Sequence, residues 1–169
     1  MKLIGGRCVA ALLALLFSVA FSSAAELNEH LSFLEPLVGK EWVGGYVGSE
    51  SPDIQIVLRF ERILGGHAVE YVREAEAADF TGVTHFYWNH GREEVCFISL
   101  NNRGIVAEGV VIPENGKIVL HGKSHRSGTT IEFKTTLEMD PEGTLRDTFL
   151  RMQDGKWVQG HLQEFIIRE

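Results

Sequence analysis

Cysteine is scarce in this chain: Cys8 and Cys96 are the two present in 169 residues. Cys8 falls in an N-terminal stretch that reads as a removable leader, so Cys96 would remain alone, which excludes an internal disulfide framework. Its neighbours Val95, Phe97 and Ile98 are the setting of a buried, inert thiol rather than a reactive one. Basic runs are also missing. Lys and Arg number 16 against 23 Asp and Glu, a formal charge of −7, which excludes nucleic acid and anionic lipid as expected partners. Cys-x-x-Cys, Walker, G-x-S-x-G and H-E-x-x-H motifs do not occur. His121 and His125 have H-x-x-x-H spacing, but on a strand that separation spans about 13 Å, too far to share one ion. Glu70, Glu108 and Glu164 fall on expected outer faces, so no acid/base pair and no catalytic residue is assigned. Trp88 and Trp157 read as packing residues.

Long apolar runs are limited to Val9–Phe21. Lys2 and Arg7 precede this run, and Ser23-Ala24-Ala25 follows it before Glu26, the first acid. That is the layout of a secretory signal peptide over residues 1–25, cleaved after Ala25. The run is short for a membrane span of about 20 residues. The expectation is therefore a periplasmic or secreted protein with no stable membrane span after cleavage. Losing Lys2 and Arg7 would take the formal charge from −7 to −9.

Glycine, by contrast, is plentiful, at 18 residues. Gly91, Gly104, Gly116, Gly128, Gly143 and Gly155 recur about every dozen residues between short β-prone runs, the rhythm of an up-and-down antiparallel sheet. From residue 81 the runs are 81–89, 94–100, 105–112, 117–124, 129–139, 144–152 and 156–167, preceded by Glu41–Val47, Ile54–Phe60 and His67–Arg73. About ten strands suffice to close a sheet and remove its free edges. Leu27, Leu31, Leu34 and Leu37 mark one apolar helix face ahead of them, limited by Pro36 and Gly39. The predicted architecture is all-β: a ten-stranded up-and-down antiparallel β-barrel over residues 41–169 with a short N-terminal helix within 26–40.

Hairpin loops set register, and register sets which side chains face in. Asn115-Gly116 and Ser127-Gly128 read as two-residue turns. They pair Glu108 with Lys123 and Lys123 with Glu132 on a charged outer surface, and they turn Val111, Ile118, Leu120, Ile131, Phe133 and Leu137 inward. A four-residue loop 140–143 then places Arg146, Thr148, Leu150 and Met152 inside. An Asp154-Gly155 turn adds Trp157, Gln159, His161, Gln163 and Phe165, with Thr148 opposite His161. Even-length loops read backwards add Ala107 and Gly109, then Cys96 and Ile98, then His85 and Tyr87. The Leu64-Gly65 turn pairs Phe60 with Tyr71, and Arg73 shares that face.

The expected lumen is mixed, with Tyr71, Arg73, His85, Tyr87, Arg146, Thr148, His161 and Gln163 among apolar neighbours. Desolvating unpaired arginines is costly, and a ligand or water cavity makes the mixture tolerable. The competing reading puts some of these residues at the barrel mouth, in solvent.

Three stretches carry a family resemblance. Pro36-Leu37-Val38-Gly39-Lys40-Glu41-Trp42-Val43-Gly44 resembles the opening of nitrobindins and related lipocalin-like (calycin) barrels, in which a short helix leads to a glycine and then a tryptophan on the first strand. Here two residues, not one, separate Gly39 from Trp42. Gly160-His161-Leu162 is similar in place to the haem-ligating histidine on the last nitrobindin strand. The stretch ERILGGHAVEY, residues 61–71, resembles uncharacterised secreted bacterial lipocalin-like proteins. The resemblance implies a ten-stranded barrel over most of residues 33–169. It also implies haem as an alternative cofactor, with His161 its ligand.

The leading functional expectation is noncovalent binding of a small hydrophobic or amphipathic molecule, without a cofactor or metal. Arg73 and Arg146 would meet a polar or anionic group, and Tyr71, Tyr87 and Thr148 would supply hydrogen bonds. Three alternatives stay open: a haem protein, a barrel-type isomerase or cyclase in which His85 or His161 moves a proton, and a partner-binding module with a filled lumen. A structural role for His161, hydrogen-bonded to Thr148, also stays open.

Overall fold

The structure, a computed structural model, describes residues 26–48 and 53–168; the expected signal peptide lies outside the described residues. Ten antiparallel strands close into a barrel in simple up-and-down order: β1 (Glu41–Tyr46), β2 (Ile56–Ile63), β3 (Ala68–Ala75), β4 (Phe80–Asn89), β5 (Glu94–Asn101), β6 (Val106–Glu114), β7 (Lys117–Arg126), β8 (Thr129–Met139), β9 (Leu145–Gln153) and β10 (Lys156–Ile167). β10 pairs with β1 to close the ring, with Gly44 opposite Phe165. Closure leaves no unpaired strand edge.

Two-residue turns hold where a left-handed pair is available. Asn115-Gly116, Ser127-Gly128 and Asp154-Gly155 all have positive φ at both positions, as type I′ turns require. The pairings Glu108 with Lys123, Lys123 with Glu132, and Phe60 with Tyr71 follow as expected.

Two other hairpins differ from expectation, and both for one reason. Asn101 and Asp140 each open a three-residue loop closed by a left-handed glycine, Gly104 (φ 72°) and Gly143 (φ 88°). Asn101 Oδ1 accepts from the backbone N–H groups of Arg103 and Ile105. Asp140 Oδ1 does the same for Glu142 and Thr144. The strands close through Asn101 N–H to Ile105 O at 3.2 Å and Asp140 N–H to Thr144 O at 2.9 Å. This is the turn followed by a left-handed residue that makes odd-length hairpins, and each odd loop reverses the faces beyond it.

One end of the barrel is plugged. Asn28 caps a short 3-10 helix, Glu29–Leu34, by accepting the His30 N–H; it lies within the 26–40 stretch where a short helix was expected. Leu31, Leu34 and Leu37 are buried as their spacing suggested, against a core that includes Trp42, Phe60, Val69, Phe86 and Leu145. His30 stacks on Trp88 at 3.6 Å between ring centroids. No helix among the described residues is long and apolar enough to cross a membrane.

Candidate functional site

With one end filled, the open space lies toward the other. A cavity of about 420 Å³ runs into the lumen from the end carrying the β3–β4 and β5–β6 connections. Its apolar wall includes Ile56, Phe97, Ala107, Leu120, Phe133 and Phe149. Gly122 makes part of this shape possible: a Cβ there would sit 2.6 Å from Phe97 Cζ. At the rim, Arg103 donates to Ala78 O at 2.9 Å and lies 5.5 Å from the Phe80 ring centroid.

The polar side of the cavity is built by β3, β9 and β10. Arg73 on β3 extends across the lumen, and its Nη2 donates to Asp147 Oδ2 on β9 at 2.8 Å and to Gln163 Oε1 on β10. Asp147 and Gln163 face each other across the β9–β10 ladder, and both are essentially inaccessible to solvent. His161 lies two residues before Gln163 on the same face. Its ring stacks on Phe149 at 5.0 Å, and its Nε2 is 3.8 Å from Asp147 Oδ1. That distance is too long for a hydrogen bond. Tyr46 meets the His161 ring edge-on at 5.9 Å. Tyr71 stacks on Phe60 at 4.4 Å.

The charges reinforce one another. Burial by itself raises the Asp147 pKa, but the Arg73 charge, with His161 and the Arg73 hydrogen bond, holds it below the ordinary carboxylate value. Burial likewise works against the charged Arg73, yet its neighbours, Asp147 among them, keep its pKa raised. Burial pushes the Tyr71 hydroxyl up to about 12, so it remains protonated. Tyr71 Oη, Arg73 Nε, Gln163 Nε2, His161 Nε2 and Asp147 Oδ1 have no hydrogen-bond partner among the described residues. Buried polar atoms left this way are costly, and their concentration in one place marks this side of the lumen as the candidate site.

Of the residues singled out from the sequence, Tyr71, Arg73 and His161 line this cavity. Gln163 faces the same interior, behind Arg73. The other four are on the outside. The odd loop after Asn101 turns Phe97 and Ser99 inward and puts Cys96 and Ile98 on the outer face. It therefore puts Thr84 and Phe86 inside and His85 and Tyr87 outside. His85 Nε2 instead contacts Glu70 Oε2 at 2.9 Å. The odd loop after Asp140 puts Leu145, Asp147 and Phe149 inside, and Arg146, Thr148, Leu150 and Met152 outside. Arg146 donates to Glu164 at 2.7 Å in an exposed pair. Thr148 is opposite Leu162, not His161.

His161 nevertheless reaches the lumen because a second irregularity cancels the first. The β9–β10 register shifts between Gln159 and His161, leaving Gly160 as the extra residue of a bulge. Before the bulge, Trp157 and Gln159 follow Met152 and Leu150 to the outside; Trp157 there lies 4.6 Å from Lys134 Nζ. Asp147 is the residue that sequence reasoning missed. The signal available was Asp140-x-x-Gly143, the same pattern as Asn101-x-x-Gly104. His121 and His125 do not converge: one contacts Glu132 and the other Thr130.

The arrangement can bind an apolar body and hydrogen-bond a polar group. The class defined by fold and site is a closed ten-stranded antiparallel β-barrel with a lumen able to hold a small molecule. No protein-family model matches the chain, and no curated protein is similar to it by sequence.

Proposed function

We propose that this chain is an exported, lipocalin-like barrel whose lumen holds a small hydrophobic or amphipathic molecule. The observation that carries the reading is the two-sided cavity, with an aromatic and aliphatic wall facing the buried Arg73–Asp147 pair and its unpartnered donors. A filled structural core would have no use for those atoms, whereas a ligand can satisfy them. Arg146 takes no part, since it lies outside. Export rests on the leader-like residues 1–25. Native mass spectrometry of protein purified from the exported fraction tests both parts. The expected result is a chain beginning at Glu26 that carries a noncovalent small molecule. A chain retaining residues 1–25, with no added mass and no uptake of apolar probes, would overturn the proposal.

Haem is the alternative that the last-strand histidine raises. His161 stacks on Phe149 with Nε2 toward Asp147, and a ligating histidine ordinarily turns one ring nitrogen to such a carboxylate, which would leave Nδ1 for iron. Haemin titration decides: a Soret shift lost in His161→Ala would support haem, and a flat titration would remove it.

One observation favours a second reading, a barrel-type isomerase or cyclase. His161 has a buried carboxylate behind it, an arrangement that orients an imidazole for proton transfer. Solvent-deuterium incorporation into the co-purified molecule, lost in His161→Ala, would support this reading; no incorporation in the native protein would remove it.

A further inference from the structure

From the charge balance of the lumen we infer that the polar end of the ligand is an uncharged hydrogen-bond acceptor, such as an ester, ketone or amide oxygen, not a carboxylate or an amine. This rests on the lumen being a ligand site.

Arg73 is the buried cation of the cavity and Asp147 its counter-ion, joined at 2.8 Å across the lumen; the other arginine of the lining, Arg103, is exposed at the rim, where solvent and salt screen its charge. The pair is neutral as a unit. A carboxylate entering beside it would find the arginine already matched and Asp147 Oδ1 unpartnered nearby. Like charges in a dry site repel strongly. An ammonium would meet the reverse problem at Arg73. Arg146, which could have tipped the balance toward anions, sits on the outer face with Glu164.

The vacant hydrogen-bonding capacity leans the other way. Tyr71 Oη, Arg73 Nε and Gln163 Nε2 lack partners among the described residues and are buried, on residues that line the cavity or lie just behind it, so a ligand oxygen reaches them with a small side-chain shift. Tyr71 keeps its proton, and a guanidinium nitrogen can only donate. His161 Nε2 and Asp147 Oδ1, 3.8 Å apart, satisfy one another with a small approach. What remains are three donors beside an apolar wall, complementary to one neutral oxygen on an apolar chain.

The test is calorimetric titration of the native protein, at about pH 8, where imidazoles are ordinarily neutral, with three probes of equal chain length: methyl decanoate, decanoate and decylammonium. The expected ranking has the ester tighter than either ion by at least about tenfold. Asp147→Asn should raise decanoate affinity by a similar factor, because Arg73 loses its counter-ion. Tyr71→Phe should weaken the ester by about two- to tenfold and leave the ions unaffected. Decanoate or decylammonium binding as tightly as the ester overturns the charge inference while leaving the lumen a ligand site. Failure of all three probes to bind overturns both. If Asp147→Asn does not fold, the native ranking and Tyr71→Phe still decide. Ester affinity unchanged in Tyr71→Phe would overturn the assignment of its hydroxyl.

Discussion

Arg73 and Asp147 are 74 positions apart in the chain and meet across the barrel interior, Nη2 to Oδ2 at 2.8 Å. The contact ties β3 to β9, strands that are not neighbours in the sheet. It is both a structural strut and the electrostatic centre of the cavity. Removing either partner leaves a buried charge without compensation.

Asp147→Ala should therefore destabilise the fold by about 3–5 kcal/mol, measured by denaturant unfolding. The same group predicts acid sensitivity. Its folded pKa lies below the ordinary 3.8, so near that pH the unfolded chain binds more protons than the folded one. The stabilisation is present above pH 3.8 and is lost as the pH falls through the lower folded value. Unfolding free energies measured stepwise below pH 4 should show this slope in the native protein and a weaker one in Asp147→Asn. Equal slopes would remove Asp147 as the cause.

Tyr71→Phe should leave the unliganded protein as stable as before or more stable by about 1 kcal/mol, because the lost hydroxyl has no partner. The alkaline limb gives a second readout. Burial raises this pKa from 10.0 to about 12, so its stabilising contribution is complete below pH 10 and is lost as pH rises toward 12. Native protein should lose stability over that interval more steeply than the variant; parallel curves would contradict the assignment.

Gly160 sits at the β10 bulge, where a Cβ would come within 2.5 Å of Phe149 Cδ1. Phe149 is the ring on which His161 stacks. Gly160→Ala should cost about 1–3 kcal/mol through overpacking and displace the His161 ring. The thermal midpoint and the His161 ring resonances report the two effects. An unshifted midpoint with unmoved resonances would mean that the bulge tolerates a side chain.

Arg146→Ala tests the face assignment. Arg146 makes an exposed pair with Glu164, and such pairs contribute little. The thermal midpoint and the affinity for lumen probes should both be unchanged, whereas Arg73→Ala should impair both. A loss of probe binding in Arg146→Ala would place that side chain back in the cavity.

Much of the barrel could be read from residue order. Asn115-Gly116, Ser127-Gly128 and Asp154-Gly155 specify their turns chemically, since asparagine, aspartate and glycine tolerate positive φ. The leucines ahead of β1 announce a buried face. The site was only half legible. In β9 the two faces read Leu145, Asp147, Phe149 and Arg146, Thr148, Leu150. Each mixes polar with apolar residues, so alternation does not say which set points inward.

What residue order alone established is the local layer: a chain of short strands, their turns and their number. Those properties depend on neighbours a few positions apart. Which side chains share the lumen depended on the whole closed barrel. Facing is a running parity, so the odd loops at Asn101 and Asp140 each reversed it, and the Gly160 bulge restored it in time for His161. The pairing of Arg73 with Asp147 was decided at that level, because a buried charge takes its partner from whatever the closed sheet brings within reach, however distant in sequence.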